Sequence, residues 1–187
     1  MYRLSIILVT LLFLVSCNIS KEREKHITNE NLIIGKVFSF PDSVEIFEND
    51  ILYLESSNKF LMNVNSKPII LSIIWGDCAV CVEKLYEWSS LISSGTFGDK
   101  VVFQFVILAH DKKYYLRTHY VPLDNIHRLI IDSNEDFFKV NNIKNNPGYN
   151  TFLLDENRVV QLQGSPIIFD ELIEDYKDKI DEIKFKI

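Results

Sequence analysis

From residue 68 to 75 the chain reads PIILSIIW, apolar at every position but Ser72. A strand with one wet face alternates polar and apolar residues, because successive side chains point to opposite sides. This run does not alternate. It predicts a strand buried on both faces, in a sheet covered by helices on each side. Residues 101–108 (VVFQFVIL) predict a second such strand and residues 128–131 a shorter third.

Helical patterns fill the gaps. Cys81, Leu85, Trp88 and Ile92 step by 4, 3 and 4, which lines one helix face. Phe169, Leu172, Ile173, Tyr176, Ile180 and Ile183 do the same near the C-terminus. Residues 112–120 and 134–140 carry weaker helical patterns. Residues 151–154 and 159–162 flank Asp155-Glu156-Asn157-Arg158 and predict a hairpin. Before the first long run, residues 44–47 and 51–54 predict two short strands around Glu48-Asn49-Asp50. The expected fold class is α/β: a central mixed sheet, with a parallel core and an antiparallel C-terminal hairpin, flanked by helices.

Composition closes off other classes. A length of 187 residues suits one domain with a proper core. Hydrophobic residues at 47% and charged residues at 25% exclude disorder over most of the chain. With only 6 Gly and 5 Pro, a collagen-like or low-complexity chain is excluded. A formal charge of −6 argues against a nucleic-acid partner. Three cysteines are too few for a disulfide-stapled scaffold.

The N-terminus reads as an address. Met1-Tyr2-Arg3 precedes an apolar stretch of 12 residues, 4–15, broken only by Ser5 and Thr10. Crossing a bilayer takes about 20 residues, so the segment predicts a signal peptide over residues 1–16. Leu14-Val15-Ser16-Cys17 resembles the lipobox of bacterial lipoproteins, which implies cleavage before Cys17 and lipid attachment to it. The alternative is a plain signal peptide that ends near a cysteine. Loss of Arg3 would take the formal charge from −6 to −7. Residues 17–30 then form the lipidated cysteine and a polar tether, and residues 31–187 the folded domain. Asn18 is not the aspartate that retains many lipoproteins at an inner membrane. The expected location is extracytoplasmic, on the outer membrane facing the periplasm.

One constellation carries chemistry. Cys78-Ala79-Val80-Cys81 follows the buried run and opens the amphipathic helix. A thiol at a helix start meets unpaired N–H groups and the positive end of the helix dipole, and both favour thiolate. Thiolate is the form that attacks a disulfide. A second cysteine one turn on attacks the resulting mixed disulfide and releases the product. Cys78 is therefore the candidate attacking thiol and Cys81 the resolving one. No bound cofactor is needed, because the pair is itself the redox centre.

Three plainer readings stand beside this one. A structural staple closing about four residues is worth roughly 2 kcal/mol, against about 5 for a loop of about 100. Structural zinc wants four ligands, and no second cysteine pair exists. His119 and His127 are also spaced more widely than the usual gap of about three to five residues. No metal site is expected. The third reading is two unpaired core cysteines.

The order of strand, CxxC, helix, crossover strand and late hairpin resembles the thioredoxin fold. With the lipobox and tether, the chain resembles the membrane-anchored thioredoxin-like lipoproteins of the TlpA-like group. The likeness covers residues 32–187, including Gly35-Lys36-Val37-Phe38-Ser39-Phe40-Pro41 and Thr151-Phe152-Leu153-Leu154-Asp155. It implies an extracytoplasmic thiol–disulfide oxidoreductase that reduces or exchanges disulfides through the CxxC pair. Its partners would be exported thiol or disulfide proteins and a thiol-protein electron donor, with the membrane reached through the lipid.

The departures are specific. Asp77 stands where the family often has Trp, and Ala79-Val80 where it often has Pro. A carboxylate at Asp77 disfavours a second negative charge on Cys78 and makes the couple more reducing. The alternative for Asp77 is a helix N-cap. The family places a cis-proline opposite the cysteines, six residues before the position of Asp155. That position is Tyr149, whereas Pro147 lies two residues earlier. Either residue takes the role in the substrate-binding loop.

Trp75 either shields the cysteines or belongs to the core. His110 and Asp111 either assist proton transfer to Cys81 or form a loop and helix cap. Glu83, Lys84 and Glu87 read as the wet face of the first helix. Tyr114, Tyr115 and Tyr120 read as core or as a recognition patch.

A function of a different class is a thioredoxin-like binding or scaffold module whose cysteines do not turn over. Copper delivery through Cys78, Cys81 and His110 is a third. Copper-delivering relatives of this fold use a wider cysteine spacing.

Overall fold

A computed structural model describes residues 32–62, 67–120 and 122–184. The expected signal peptide, Cys17 and tether lie outside the described residues. Among the described residues seven strands form one sheet: β1 (Ser43–Glu48), β2 (Ile51–Ser56), β3 (Ile69–Trp75), β4 (Val102–Leu108), β5 (Arg128–Asp132), β6 (Thr151–Leu154) and β7 (Val160–Gln163). Five helices are described: α1 (Ser57–Met62), α2 (Ala79–Ser93), α3 (Lys112–Thr118), α4 (Asp136–Asn141) and α5 (Leu172–Lys184).

The strand order is β2-β1-β5-β4-β3-β6-β7. β3, β4 and β5 run parallel. The expected hairpin is antiparallel and joins through β6 to β3, with a register shift between Leu153 and Leu154. The first two strands form a second antiparallel pair, and β1 extends the sheet from β5. The mixed sheet is therefore antiparallel on both sides of a three-stranded parallel core.

The apolar run of β3 has the cause its pattern implied. Ile70 and Ile74 pack with Leu85 and Trp88 of α2 and Tyr176 and Ile180 of α5. Ile69, Leu71 and Ile73 pack on the other side with Phe60 of α1 and Phe137 and Phe138 of α4. Ser72, the one polar residue in the strand, shares a buried hydrogen bond of 2.9 Å with Thr151 on β6. Buried polar atoms need such a partner.

Local details differ from the sequence patterns. The short helix α1 carries too few residues for a helical repeat. The buried face of α2 is Val82, Leu85 and Trp88, with Cys81 and Ile92 only half-buried against it. Phe169 stands before α5, in a turn where its N–H donates to Ser165 O. Asn134 precedes α4, because Asp132 accepts the N–H groups of Asn134, Asp136 and Phe137 and holds the chain in a loop there. The unit Ile33–Ile187 is compact. Among the described residues no helix is long and apolar enough to cross a membrane.

Candidate active site

β3 ends at Trp75 and β4 at Leu108, and these two residues are register partners. The chemistry-bearing residues follow these ends, where parallel sheets commonly carry their sites. Gly76 comes first. Its N–H donates to Leu108 O at 2.7 Å. A Cβ at Gly76 would lie 2.6 Å from Ile107 Cγ2 and 3.1 Å from both Leu108 O and Tyr115 Cδ2. Only glycine fits where the chain leaves the sheet so close to β4.

Cys78 and Cys81 form a disulfide with Cα atoms 5.2 Å apart, within the range such bonds use. Both are half-buried. Cys78 is the N-cap of α2, with extended φ and ψ of −121° and 110°. Its Sγ accepts the backbone N–H of Cys81 at 3.3 Å, and its carbonyl accepts from Cys81 and Val82. The sulfur thus shares, with the Cys78 carbonyl, one N–H of the first helical turn.

Asp77 is consequently not the N-cap, and that alternative is corrected: the cap position belongs to the next residue. Asp77 Oδ2 instead accepts the backbone N–H of His110 at 3.2 Å and lies 2.9 Å from His110 Nδ1. The other ring nitrogen, Nε2, lies 3.4 Å from Glu135 Oε1 at the start of α4. Glu135 adopts the left-handed region, φ 58° and ψ 33°. The hydrogen bond to Asp77 is the main cause that raises the His110 pKa above its ordinary 6.5. The His110 ring also packs 5.6 Å from the Trp75 ring.

A cleft of about 110 Å³ opens beside the disulfide. Trp75, Val80, Cys81, Pro147, Ile167 and Ile168 contribute to its mostly apolar walls, as do the polar Asn145 and Asn150. Pro147 and Cys81 share this lining, whereas Tyr149 is directed elsewhere, with its ring 5.6 Å from that of Phe169. Among the described residues no peptide bond is cis. The loop keeps its shape through Asn150, which is buried. Its Oδ1 accepts the Asn146 N–H at 2.9 Å, its Nδ2 donates to Asn145 Oδ1 at 2.6 Å, and its carbonyl accepts the Ile73 N–H.

The remaining candidates separate cleanly. Trp75 is half-buried: it packs on the core and lines the cleft beside Cys81. Asp111 caps α3 by accepting the Tyr114 N–H at 2.9 Å. Lys84 pairs with Glu87 at 2.9 Å, and Glu83 is exposed. The three tyrosines form no common patch. Tyr115 is buried, Tyr120 packs against Phe47 and Tyr114 is exposed.

Glu135, Gly76 and Ile167 reach the site without any local signal in their segments. Asn150 was foreshadowed by its cluster, Asn145-Asn146-Pro147-Gly148-Tyr149-Asn150, a composition typical of side-chain-braced turns. Among the described residues no group of three or more His, Cys, Asp and Glu side chains is placed to hold a metal ion.

No protein-family model matches the sequence, and no curated protein matches it. Solved structures do match. A protein assigned as thiol:disulfide interchange protein DsbE from Chlorobium tepidum aligns at TM-score 0.54 and 17% identity, over 79% of this chain and 99% of that one. The reduced 2-Cys peroxiredoxin of Plasmodium vivax aligns at TM-score 0.56 and 19% identity, over 83% and 98%. The thioredoxin domain of a thiol-disulfide oxidoreductase from Bacteroides vulgatus aligns at TM-score 0.50 and 12% identity, over 78% and 98%. The chain has the thioredoxin-like fold, with a Cys78–Cys81 pair at disulfide distance where β3 gives way to α2.

Proposed function

We propose that the chain is a thiol–disulfide oxidoreductase acting outside the cytoplasm. One observation carries the reading: Cys78 and Cys81 pair at the start of α2, with Cys78 Sγ accepting a backbone N–H. That contact favours thiolate once the pair is reduced.

The exchange runs in two steps. Cys78 thiolate attacks one sulfur of a substrate disulfide, forming a mixed disulfide and expelling the other sulfur as thiolate. Cys81 thiolate then attacks Cys78 Sγ, closes the Cys78–Cys81 bond and expels the second substrate thiolate. Two electrons pass to the substrate, and a thiol protein must return them. In the opposite direction the same steps oxidise a substrate dithiol. The apolar cleft beside Cys81 suits an apolar residue flanking the target cysteine. The Chlorobium and Bacteroides neighbours, a thiol:disulfide interchange protein and a thiol-disulfide oxidoreductase by name, support this chemistry. Cys17, as a lipidated anchor, would hold the domain on the outer membrane, facing exported partners in the periplasm.

The test is a redox titration of the chain, with thiol alkylation read by mass. A reversible two-electron transition confined to Cys78 and Cys81 is expected, with Cys78 alkylating first. A pair that never closes, or that resists strong reductant, would reject the reading in favour of a binding module.

A further inference from the structure

We propose that His110 is a positioning residue for Cys78, and that its protonation sets the charge that Asp77 presents to the thiol. The inference rests on the reading of Cys78 as the attacking thiol. The β3–β4 register pairs Trp75 with Leu108, so the residues two positions beyond each strand end, Asp77 and His110, fall side by side.

His110 faces a carboxylate at each ring nitrogen: Asp77 at Nδ1, 2.9 Å away, and Glu135 at Nε2, 3.4 Å away. An ionised carboxylate only accepts hydrogen bonds, and a neutral imidazole has one N–H and one lone pair. The neutral ring therefore satisfies one of its two partners, and the imidazolium satisfies both. The Trp75 ring backs the imidazole and limits its escape. The charged groups beside it in register and sequence are engaged elsewhere: Asp132 at the end of β5 accepts the N–H groups of Asn134, Asp136 and Phe137. Asp111 caps α3, and Lys112 pairs with Glu45 on β1. Asp77 and Glu135 are thus the groups that govern His110.

The consequence reaches Cys78 through Asp77, its chain neighbour. While His110 is charged, the Asp77 carboxylate is offset, and the helix start acts on the sulfur unopposed. Once His110 loses its proton, the carboxylate opposes a second negative charge at Cys78. The His110 shift is upward, chiefly through its hydrogen bond to Asp77, which favours the charged ring and with it the offset. The penalty that Asp77 imposes from sequence alone is therefore conditional on His110.

The test is the rate of Cys78 alkylation by iodoacetamide in the reduced full chain. It is resolved by peptide mass and followed across the range where imidazole and thiol titrate. His110→Gln should slow alkylation by about fivefold on the acid side of the imidazole inflection, the order expected of one nearby charge in a partly solvated site. It should also remove the imidazole inflection. Asp77→Asn should speed alkylation, and the double variant should behave as Asp77→Asn alone, because no carboxylate remains next to Cys78 for His110 to offset. A wild-type profile in His110→Gln overturns the proposal, as does an equal slowing of both backgrounds by that change. Alkylation reads the thiolate whether or not the pair exchanges. An unchanged profile in a pair that does exchange rejects this proposal alone. A responsive profile in a pair that never exchanges supports it and rejects the exchange reading.

Discussion

Gly76 donates its N–H to the Leu108 carbonyl at 2.7 Å, tying the chain that enters Cys78 to the end of β4. The contact brings the backbone so near β4 that a side chain has nowhere to go. The stiff, branched Ile107 side chain would lie 2.6 Å from a new Cβ. Gly76→Ala should therefore cost about 1–3 kcal/mol, the usual cost of overpacking. It should also displace the cysteine pair. Chemical denaturation checks the first effect and the Cys78 alkylation rate the second. Unchanged stability would mean that the chain leaves β3 with room to spare.

The two cysteines differ in setting, so their variants should differ in kind. Cys78 Sγ accepts the Cys81 N–H, while Cys81 lines the cleft. Cys81→Ser should leave the first exchange step intact and block the second. Mixed disulfides with exported thiol proteins should then accumulate, visible as reductant-sensitive bands on gels and identifiable by mass. Cys78→Ser should trap none. The reverse pattern would exchange the roles assigned to the two residues.

Pro147 and Tyr149 offer a second contrast. Pro147 is exposed and shares the cleft with Cys81, whereas the Tyr149 ring packs against Phe169. Pro147→Ala should slow reaction with a peptide disulfide by several-fold and leave the redox midpoint nearly unchanged. Tyr149→Ala should cost stability, about 1 kcal/mol for a lost aromatic pair, and spare the reaction. Stopped-flow exchange kinetics and thermal melts together separate the two. Equal kinetic effects would show that the whole loop contacts substrate.

Much of this architecture is legible in the sequence because burial on both faces leaves a strong mark. Between Ile69 and Ile74 every residue but Ser72 is apolar, and each side of the strand is covered by its own helices, so β3 cannot be mistaken. The CxxC pair is legible for a related reason: it falls where that run ends and a helical repeat begins. What escapes is whatever depends on register. Asp77 and His110 meet only because Trp75 pairs with Leu108, and Glu135 joins them from the loop after β5, whose Asp132 pairs with Leu108. A shift of one residue would separate them, and nothing local in either segment encodes the pairing. The N-cap also escaped. Both Asp77 and Cys78 can cap a helix, and only the extended backbone of Cys78 decides between them.

The last expectation concerns acid stability away from the site. Glu55 is buried at the end of β2, with a side chain only 6% exposed. Burial alone would raise its pKa. Hydrogen bonding and charge from Lys59 and Arg128 outweigh that and hold it below the ordinary 4.5. Arg128 also stacks over the Phe60 ring, 4.9 Å from its centre, so the pair joins β2, β5 and α1. A folded pKa below the unfolded one contributes stability that is present above the unfolded value. That contribution is lost as pH falls through the folded value. The domain should therefore weaken as pH falls below about 4.5, partly through this residue. Glu55→Gln leaves Arg128 without its charge partner and should cost about 2 kcal/mol at neutral pH, less than a fully buried pair because Arg128 is partly exposed. Urea midpoints for the two proteins should converge as the pH is lowered. Midpoints that stay equally far apart at every pH would show that Glu55 acts through packing rather than charge.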